Sequence, residues 1–334
     1  MTHKVTVFST QNYELETIGE VNEDFGFDLN FRTERLDVQN AFLAKDSEAL
    51  AIGTDLIDAE LIDKLQALGV KIIALRSAGF NNVDLKAAAD KIKIVRVPAY
   101  SPHAIAEHAV GLMLSLNRKI HRAYWRTKDD NFSTEGFMGF DMYQKTAGVI
   151  GTGKIGKAVA QLLRGFGMEV LCYDVYPDND FIKSIGAKYV SQDELYANSD
   201  IITLHCPLTK DSEYMICDES IEKMKNGVML INTGRGKLVN TKHLIDALIS
   251  GKVGYAGLDV YEEEENYFNR DLSNQILKDN TLARILSFNN VIVTSHQAYF
   301  TKEAVINIAE TTLQNIDDFF NGKQLVNEVA FKEK

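Results

Sequence analysis

The sequence predicts an α/β protein made of two doubly wound parallel-sheet domains. Strand-like apolar runs alternate with helical patterns from one end of the chain to the other, an arrangement that builds parallel sheets with helices on both faces. The runs form two series separated by one long helical segment. With 334 residues, of which 45% are hydrophobic, the chain is large enough for two domains of ordinary size.

Both series consist of short strand-like apolar runs. The first contains KVTVFS, FDLNF, EALAIG, VKIIALRS and IKIVRVP, with helical candidates such as DAELIDKLQALG between them. The second contains TAGVIG, MEVLCYD, AKYVS, DIITLHC, GVMLINT, YAGLDV and NVIVTSH. The terminal stretch KEAVINIAETTLQNIDDFFNG is an amphipathic helix that we expect to return to the first domain. The predicted domains are therefore residues 1–100 with 299–334, and residues 101–298.

The segment between the two series, YSPHAIAEHAVGLMLSLNRKIHRAYW, is predicted to be one long helix. Ser101 suits the N-cap and Pro102 the first helical position. Its apolar residues recur at helical spacing, so we expect it to pack as a connector and to offer a dimer surface. His103, His108 and His121 are interpreted as packing or surface residues, because no ligand partner lies at a suggestive offset.

A glycine-rich turn, TAGVIGTGKIG, begins the second series. Gly151 permits a tight turn after a strand, Gly153 lets the backbone approach a pyrophosphate, and Gly156 lets the next helix pack closely on the sheet. The first amides of that helix, at Lys154 and Ile155, and its dipole would hold the phosphates. This pattern is typical of a Rossmann dinucleotide-binding domain.

Asp174 ends the next strand, at the distance where such domains carry the acid that binds the adenosine ribose. A carboxylate at this place would repel a ribose 2′-phosphate, and residues 175–177 include no Arg that could neutralise one. The sequence therefore predicts NAD(H) rather than NADP(H) as the cofactor.

Composition excludes several other classes of protein. The formal net charge of −11 argues against nucleic acid as a partner. No apolar stretch resembles a signal peptide or a membrane span, so we expect a cytoplasmic protein that does not bind membranes. Cys172, Cys206 and Cys217 are scattered without metal-ligand spacing, so we expect free thiols and no metal site.

Three polar residues follow strand-like runs of the second series, at the carboxyl ends where open α/β sheets bind ligands. Arg235 follows VMLINTG, Glu264 follows AGLDVYE, and His296 ends NVIVTS. An Arg can bind a carboxylate through two hydrogen bonds, a His can exchange a proton near neutral pH, and a Glu can stabilise the imidazolium. Together these groups suit the reduction of a 2-keto acid, although charge pattern alone cannot separate the four adjacent acids of EEEEN.

The chain resembles the D-isomer-specific 2-hydroxyacid dehydrogenase family, and within it the D-lactate dehydrogenase branch. The resemblance is carried by RSAGFNNVDL, RVPAYSPHAIAEHAVGLML, GVIGTGKIG, HCPLT, MKNGVMLINTGRGKLVN, GLDVYEEEENYF and NVIVTSHQAYFT, in family order along nearly the whole chain. It implies a Rossmann NAD-binding domain, a flavodoxin-like substrate domain, interconversion of pyruvate and D-lactate, and a homodimer or higher homo-oligomer. It also implies that Arg235, Glu264 and His296 are the catalytic residues, and it selects Glu264 from the acidic run.

The resemblance further implies roles for residues that the patterns alone do not single out. Backbone amides at Ala78 and Gly79 would bind the substrate carboxylate, and Tyr100 and Tyr299, with Phe300 nearby, would surround the substrate side chain. The remaining implied residues would contact the cofactor: His205 and Pro207 would flank it, and Thr233 and Asp259 would face its nicotinamide end.

Two alternative functions stay open at this point. One is a dehydrogenase for bulkier 2-keto acids such as 2-ketoisocaproate or phenylpyruvate, since pocket volume cannot be inferred from sequence. The other is an NAD(H)-responsive binding protein, as in co-repressors that share this fold, because fold alone does not decide function. The intact catalytic set favours an enzyme.

Overall fold

The computed structural model describes residues 2–268 and 270–331. They form two compact units, one of Met1–Ser101 with Phe300–Lys334 and one of Pro102–Tyr299. Each boundary falls one residue from its predicted position. No helix in these described ranges is long and apolar enough to cross a membrane.

The first unit contains a five-stranded sheet in which every pair of neighbouring strands is parallel. Its strands are β1 (Lys4–Val7), β2 (Asp28–Phe31), β3 (Ala49–Ile52), β4 (Ile72–Leu75) and β5 (Lys93–Arg96). The order β2-β1-β3-β4-β5 is that of flavodoxin-like sheets. Its helices are α1 (Asn12–Asn22), α2 (Ala59–Ala67), α3 (Leu85–Ala88) and, from the end of the chain, α12 (Lys302–Phe320).

Both faces of this sheet are covered, which explains why its central strands β3 and β4 are apolar throughout. Leu61 and Leu65 of α2 pack on one face. Leu313 and Ile316 of α12 pack with Val5 and other strand residues on the opposite face. The terminal helix therefore completes the core of the first unit.

The second unit contains a seven-stranded parallel sheet. Its strands are β6 (Thr146–Ile150), β7 (Glu169–Tyr173), β8 (Lys188–Tyr189), β9 (Ile201–Leu204), β10 (Val228–Asn232), β11 (Val253–Leu258) and β12 (Val291–Val293). Its helices are α4 (Pro102–Arg118), α5 (Ile120–Lys128), α6 (Lys154–Gly165), α7 (Asn179–Ser184), α8 (Gln192–Asn198), α9 (Asp218–Lys223), α10 (Thr241–Ser250) and α11 (Asn280–Leu286). The order β12-β11-β10-β9-β6-β7-β8 reverses direction at β6, as in Rossmann domains. The predicted fold class is confirmed.

The prediction of one long connecting helix was wrong. The segment forms α4 and α5, and between them Lys119 adopts a left-handed conformation with φ 51°. The Asn117 side chain donates to the Phe140 carbonyl (2.7 Å) and accepts from the Phe140 N–H (2.8 Å). The Lys119 ammonium donates to the Gly136 carbonyl (2.7 Å). These contacts with residues 136–140 hold the end of α4. The helix therefore ends there, although the apolar spacing in the sequence continues.

Candidate active site

The glycine loop after β6 packs tightly against backbone at Gly151 and Gly156 and has open space at Gly153. Gly151 has φ 88°, and a Cβ at this position would overlap the backbone of Cys206. A Cβ on Gly156 would overlap the Gly151 carbonyl, so the helix could not pack this closely with any larger residue. At Gly153, by contrast, a Cβ would meet nothing within 4 Å.

The open side of the loop fits the pyrophosphate of a dinucleotide. Helix α6 begins directly after Gly153, which has no side chain that could accept from the amides of the first turn. Lys154 is exposed and Ile155 is half-buried. The amides at the start of a helix have no partner within it and favour an anion.

Asp174, directly after β7, is held beside this loop. Its Oδ2 accepts from the Thr152 amide (2.5 Å) and hydroxyl (3.1 Å), and its Oδ1 accepts from the Tyr176 amide (2.8 Å). Lys157 of α6 is a cation that reaches Asp178, in the loop that carries Asp174. It was not predicted from the sequence, because it comes from outside residues 175–177. It forms a salt bridge with Asp178, so its charge is already compensated.

His205 and Thr233 follow β9 and β10 and contact each other. Burial lowers the pKa of His205 to about 3, so the imidazole is neutral. Its Nε2 lies 2.8 Å from the Thr203 hydroxyl, and its Nδ1 lies 3.4 Å from the Thr233 hydroxyl. Pro207 is exposed on the following loop, where its carbonyl accepts from the Ser212 hydroxyl (2.8 Å).

His296, just beyond β12, is paired with Glu264. The His296 Nδ1 lies 2.8 Å from the Glu264 Oε1, while Glu264 Oε2 accepts from the Tyr261 amide (3.0 Å). No other side-chain hydrogen bond of His296 occurs within residues 2–268 and 270–331. The carboxylate therefore binds one ring nitrogen and leaves Nε2 for a ligand.

The other acids of the run do not contact His296. Glu262 accepts from the Tyr214 hydroxyl (2.9 Å) and from the Thr241 amide (2.5 Å) at the start of α10. Glu263 and Glu265 are exposed. Geometry thus separates the four acids where their charges could not.

Opposing effects act on the pKa of His296. Burial disfavours the imidazolium, but the hydrogen bond and negative charge of Glu264 favour it, as does the charge of Asp259. The positive charge of Arg235 opposes them. The net result is that the pKa of His296 is raised above its ordinary value of 6.5. A proton on this imidazole is therefore more easily kept at neutral pH.

Asp259 holds the loop that carries His296. Its side chain is fully buried, and its Oδ1 accepts from the Thr294 hydroxyl (2.5 Å) and the Gln297 amide (2.9 Å). Its Oδ2 accepts from the Ala298 amide (2.9 Å), and its carbonyl accepts from the His296 amide (2.7 Å). These bonds fix His296 at φ 53°, a left-handed conformation that is uncommon for a side-chain-bearing residue. The predicted contact of Asp259 with nicotinamide stays a prediction.

His108 of α4, which the sequence pattern indicated to be a packing or surface residue, joins this network. Its Nε2 lies 3.1 Å from the Thr294 hydroxyl and 3.5 Å from the Asp259 Oδ1. No signal in the sequence could have found this contact, since the partners are 186 residues apart.

Arg235 lies in a turn after β10 that its neighbours shape. The Asn232 side chain donates to the Arg235 carbonyl (2.9 Å) and accepts from the Gly234 amide (3.0 Å). A Cβ on Gly236 would overlap the carbonyl of Tyr261, so this glycine lets the turn pack directly on the backbone that leads to Glu264. Within the described part of the chain, the half-buried Arg235 has no carboxylate partner at salt-bridge distance.

The three predicted catalytic residues thus follow three neighbouring strands. β10 pairs with β11, and β11 pairs with β12. Their carboxyl ends therefore place Arg235, Glu264 and His296 at one edge of the second sheet. The residues 2–268 and 270–331 contain no group of three or more His, Cys, Asp or Glu side chains that could hold a metal ion.

The predicted substrate-binding residues are divided between the units. Ala78 and Gly79 belong to the first unit, where their carbonyls accept from the Arg96 guanidinium (2.6 Å) and the Ser77 hydroxyl (2.8 Å). Their amides make no hydrogen bond within the described ranges. Tyr100 belongs to the first unit and Tyr299 to the second, and both are half-buried.

Comparison with known proteins identifies the family. Residues 110–298 match the NAD-binding domain of the D-isomer specific 2-hydroxyacid dehydrogenases. A 2-hydroxyacid dehydrogenase homolog of Haemophilus influenzae is 49% identical, over 98% of this chain and 99% of that protein. A D-lactate dehydrogenase of Escherichia coli is 47% identical, over 98% of this chain and 100% of that protein. The solved structure of a pyruvate reductase of Chlamydomonas reinhardtii is 43% identical, covers 98% of both chains and has a TM-score of 0.93.

The match to the NAD-binding domain and the D-lactate dehydrogenase relative together show an NAD-dependent dehydrogenase. The chain belongs to the D-isomer specific 2-hydroxyacid dehydrogenase family. The predicted family and cofactor are confirmed.

Proposed function

We propose that this protein is a D-lactate dehydrogenase that interconverts pyruvate and D-lactate. The observation that carries the proposal is the His296–Glu264 pair at the sheet edge where Arg235 also lies. The relatives named D-lactate dehydrogenase and pyruvate reductase support the choice of substrate. In this proposal residues 101–298 bind NAD, and residues 1–100 with 299–334 form the substrate domain.

The reaction is pyruvate + NADH + H⁺ ⇌ D-lactate + NAD⁺. Bound NADH supplies the hydride that reaches C2 of the keto acid. His296, protonated on both nitrogens, donates its Nε2 proton to the keto oxygen, and Glu264 holds the Nδ1–H throughout. In the reverse direction the neutral Nε2 accepts the hydroxyl proton.

Arg235 orients the substrate and polarises the keto group. Its guanidinium can form two hydrogen bonds with a carboxylate, and its lack of a protein carboxylate partner in the described residues leaves it available. The amides of Ala78 and Gly79, which lack acceptors within the described chain, bind the substrate carboxylate as well. Tyr100 and Tyr299 surround the methyl group.

The glycine loop and the α6 amides bind the pyrophosphate of NAD, and Asp174 binds its adenosine ribose. His205 and Pro207 flank the cofactor, and Thr233 and Asp259 face its nicotinamide end. The substrate is a small 2-keto or 2-hydroxy acid, and nucleic acid is not a partner, in line with the net charge of −11. The protein acts in the cytoplasm as a homodimer or higher homo-oligomer.

Purified protein tests this proposal directly. NADH oxidation should be faster with pyruvate than with 2-ketoisocaproate or phenylpyruvate at equal concentration, and chiral chromatography should identify the product as D-lactate. A His296→Gln variant, which keeps approximate size but loses the proton donor, provides the background rate. Faster turnover of a bulkier acid would move the substrate assignment to that acid. NADH binding without turnover of any 2-keto acid would identify a binding protein.

A further inference from the structure

The carboxylate of Asp174 is the end of a hydrogen-bond chain that reaches the edge strand β8. The Thr152 hydroxyl lies 3.1 Å from the Asp174 Oδ2 and 2.6 Å from the Tyr189 hydroxyl. The Tyr189 hydroxyl in turn accepts from the Asp178 amide (2.9 Å). Hydrogen bonds therefore join three segments of the second unit, the glycine loop, the loop 174–178 and β8, to the acid that faces the adenosine ribose in the proposed function.

The direction of every bond in this chain follows from the groups present. An ionised carboxylate can only accept, so the Thr152 hydroxyl donates its proton to Asp174. The Thr152 oxygen must then accept from the Tyr189 hydroxyl. The Tyr189 oxygen, having donated its proton, accepts from the Asp178 amide. Each of the three donors thus has one acceptor. No other set of bond directions gives the Thr152 hydroxyl, the Tyr189 hydroxyl and the Asp178 amide each an acceptor while the carboxylate only accepts.

We propose that Tyr189, acting through Thr152, is a positioning residue that sets the preference for an unmodified adenosine ribose over a 2′-phosphorylated one. This inference rests on the proposed role of Asp174 in NAD(H) binding. Two donors from Thr152 occupy Oδ2, so Asp174 cannot turn away from an incoming phosphate without breaking them. The ribose hydroxyl is left with Oδ1, which holds one amide at 2.8 Å and has a lone pair to spare.

The same arrangement also pairs the nearby cation, Lys157, with a carboxylate. Asp178, whose amide binds Tyr189, pairs through its carboxylate with Lys157 and also caps α7 by accepting from the Phe181 amide (3.1 Å). Lys157 is thereby held by a charge of opposite sign. A 2′-phosphate would meet a fixed carboxylate and an already neutralised lysine, and both disfavour binding.

The test uses nucleotides that carry only the adenosine half, so that no turnover is needed. Isothermal titration of the full chain with AMP and with adenosine 2′,5′-bisphosphate should show tighter binding of AMP. In Tyr189→Phe the affinity for AMP should fall about fivefold, the size expected for one hydrogen bond, with little change for the bisphosphate. The preference for AMP should therefore shrink by about the same factor.

A double-mutant cycle separates positioning from general loss of structure. Thr152→Val removes the hydroxyl that both bonds use, so adding Tyr189→Phe to it should cause little further loss. Thr152→Ser keeps the hydroxyl and should retain the preference of the parent. Tyr255→Phe removes a half-buried hydroxyl of the same unit that is not part of this hydrogen-bond chain. It should change neither the affinity for AMP nor that for the bisphosphate.

The outcomes distinguish the inference from the proposed function beneath it. Equal binding of both nucleotides by the parent would overturn the role of Asp174 and the inference with it. If the parent prefers AMP but Tyr189→Phe and Thr152→Val keep that preference, the inference fails and the role of Asp174 stands. If Tyr189→Phe does not fold, the comparison of Thr152→Val with Thr152→Ser decides in the same way.

Discussion

Replacing Glu264 with Gln should move the pH dependence of pyruvate reduction toward lower pH. The change removes the charge that favours the His296 imidazolium while keeping a side chain of similar shape. Burial and the charge of Arg235, which both lower the pKa of His296, remain in the variant. Reduction requires the protonated imidazole, so activity is present below the pKa of His296 and declines as the pH rises through it.

The size of the shift can be approximated from the geometry. A hydrogen bond to a charged group contributes about 1.5–3 kcal/mol. The His296 side chain is 35% exposed, so solvent screens part of this interaction. We therefore expect a contribution at the lower end of this range, and a corresponding move of the alkaline limb toward lower pH. Lactate oxidation, which needs the neutral imidazole, should persist to lower pH by the same amount.

The assay is kcat/KM for pyruvate across the neutral and alkaline range, followed by the loss of NADH absorbance. Glu263→Gln is the matched control, because it removes the same charge from an exposed neighbour that does not contact His296. An alkaline limb that stays in place in Glu264→Gln would refute the pairing. An equal shift in both variants would show that the net charge of the acidic run, and not the contact at 2.8 Å, is responsible.

Stability should depend on pH with the same sign. Because the folded protein raises the pKa of His296, the contribution of the pair is fully present below the pKa of the unfolded chain. It is lost as the pH rises through the pKa of the folded protein. The difference in free energy of unfolding between the parent and Glu264→Gln should therefore shrink at alkaline pH, which urea denaturation at several pH values would measure.

Three further outcomes are expected. Arg235→Lys keeps the charge but loses the planar fork, so kcat/KM for pyruvate should fall by orders of magnitude while NADH affinity, measured by fluorescence titration, survives; near-normal turnover would remove Arg235 from the substrate site. Asp174 should make kcat/KM at least about tenfold higher with NADH than with NADPH, and equal use of both would refute its role. Gly236→Ala would place a Cβ against the Tyr261 carbonyl and should lower the free energy of unfolding by on the order of 3 kcal/mol. In the control Gly165→Ala a Cβ meets nothing within 4 Å, so this variant should not be destabilised. Similar urea midpoints for the two variants would contradict the packing argument.

The strands could be predicted because burial on both faces leaves a local mark. Residues of β3 and β4 are all buried, and each strand appears in the sequence as an unbroken apolar run. The break between α4 and α5 has no such mark. The apolar pattern continues past Lys119, and what ends α4 is the binding of Asn117 to Phe140, a contact that only the folded chain creates.

The glycine loop was predictable for a related reason. The tight turn at Gly151, the open space at Gly153 and the close packing at Gly156 are all properties of one short strand–turn–helix segment. The choice of Glu264 was not local in this sense. Its neighbours carry the same charge, and what distinguishes it is the distance to a residue 32 positions away.

The supporting residues show what a sequence alone could not provide. Asp259 directly follows a strand-like run of the sequence, but its four contacts with the loop 294–298 form only in the folded chain. The convergence of Arg235, Glu264 and His296 needed less information. They follow three strands that are consecutive in the chain, and consecutive strands of a parallel sheet usually lie side by side. A polar residue directly after each of three such strands therefore predicts a common site, while the tilt of each side chain within that site depends on contacts such as those of Gly236 and Asp259.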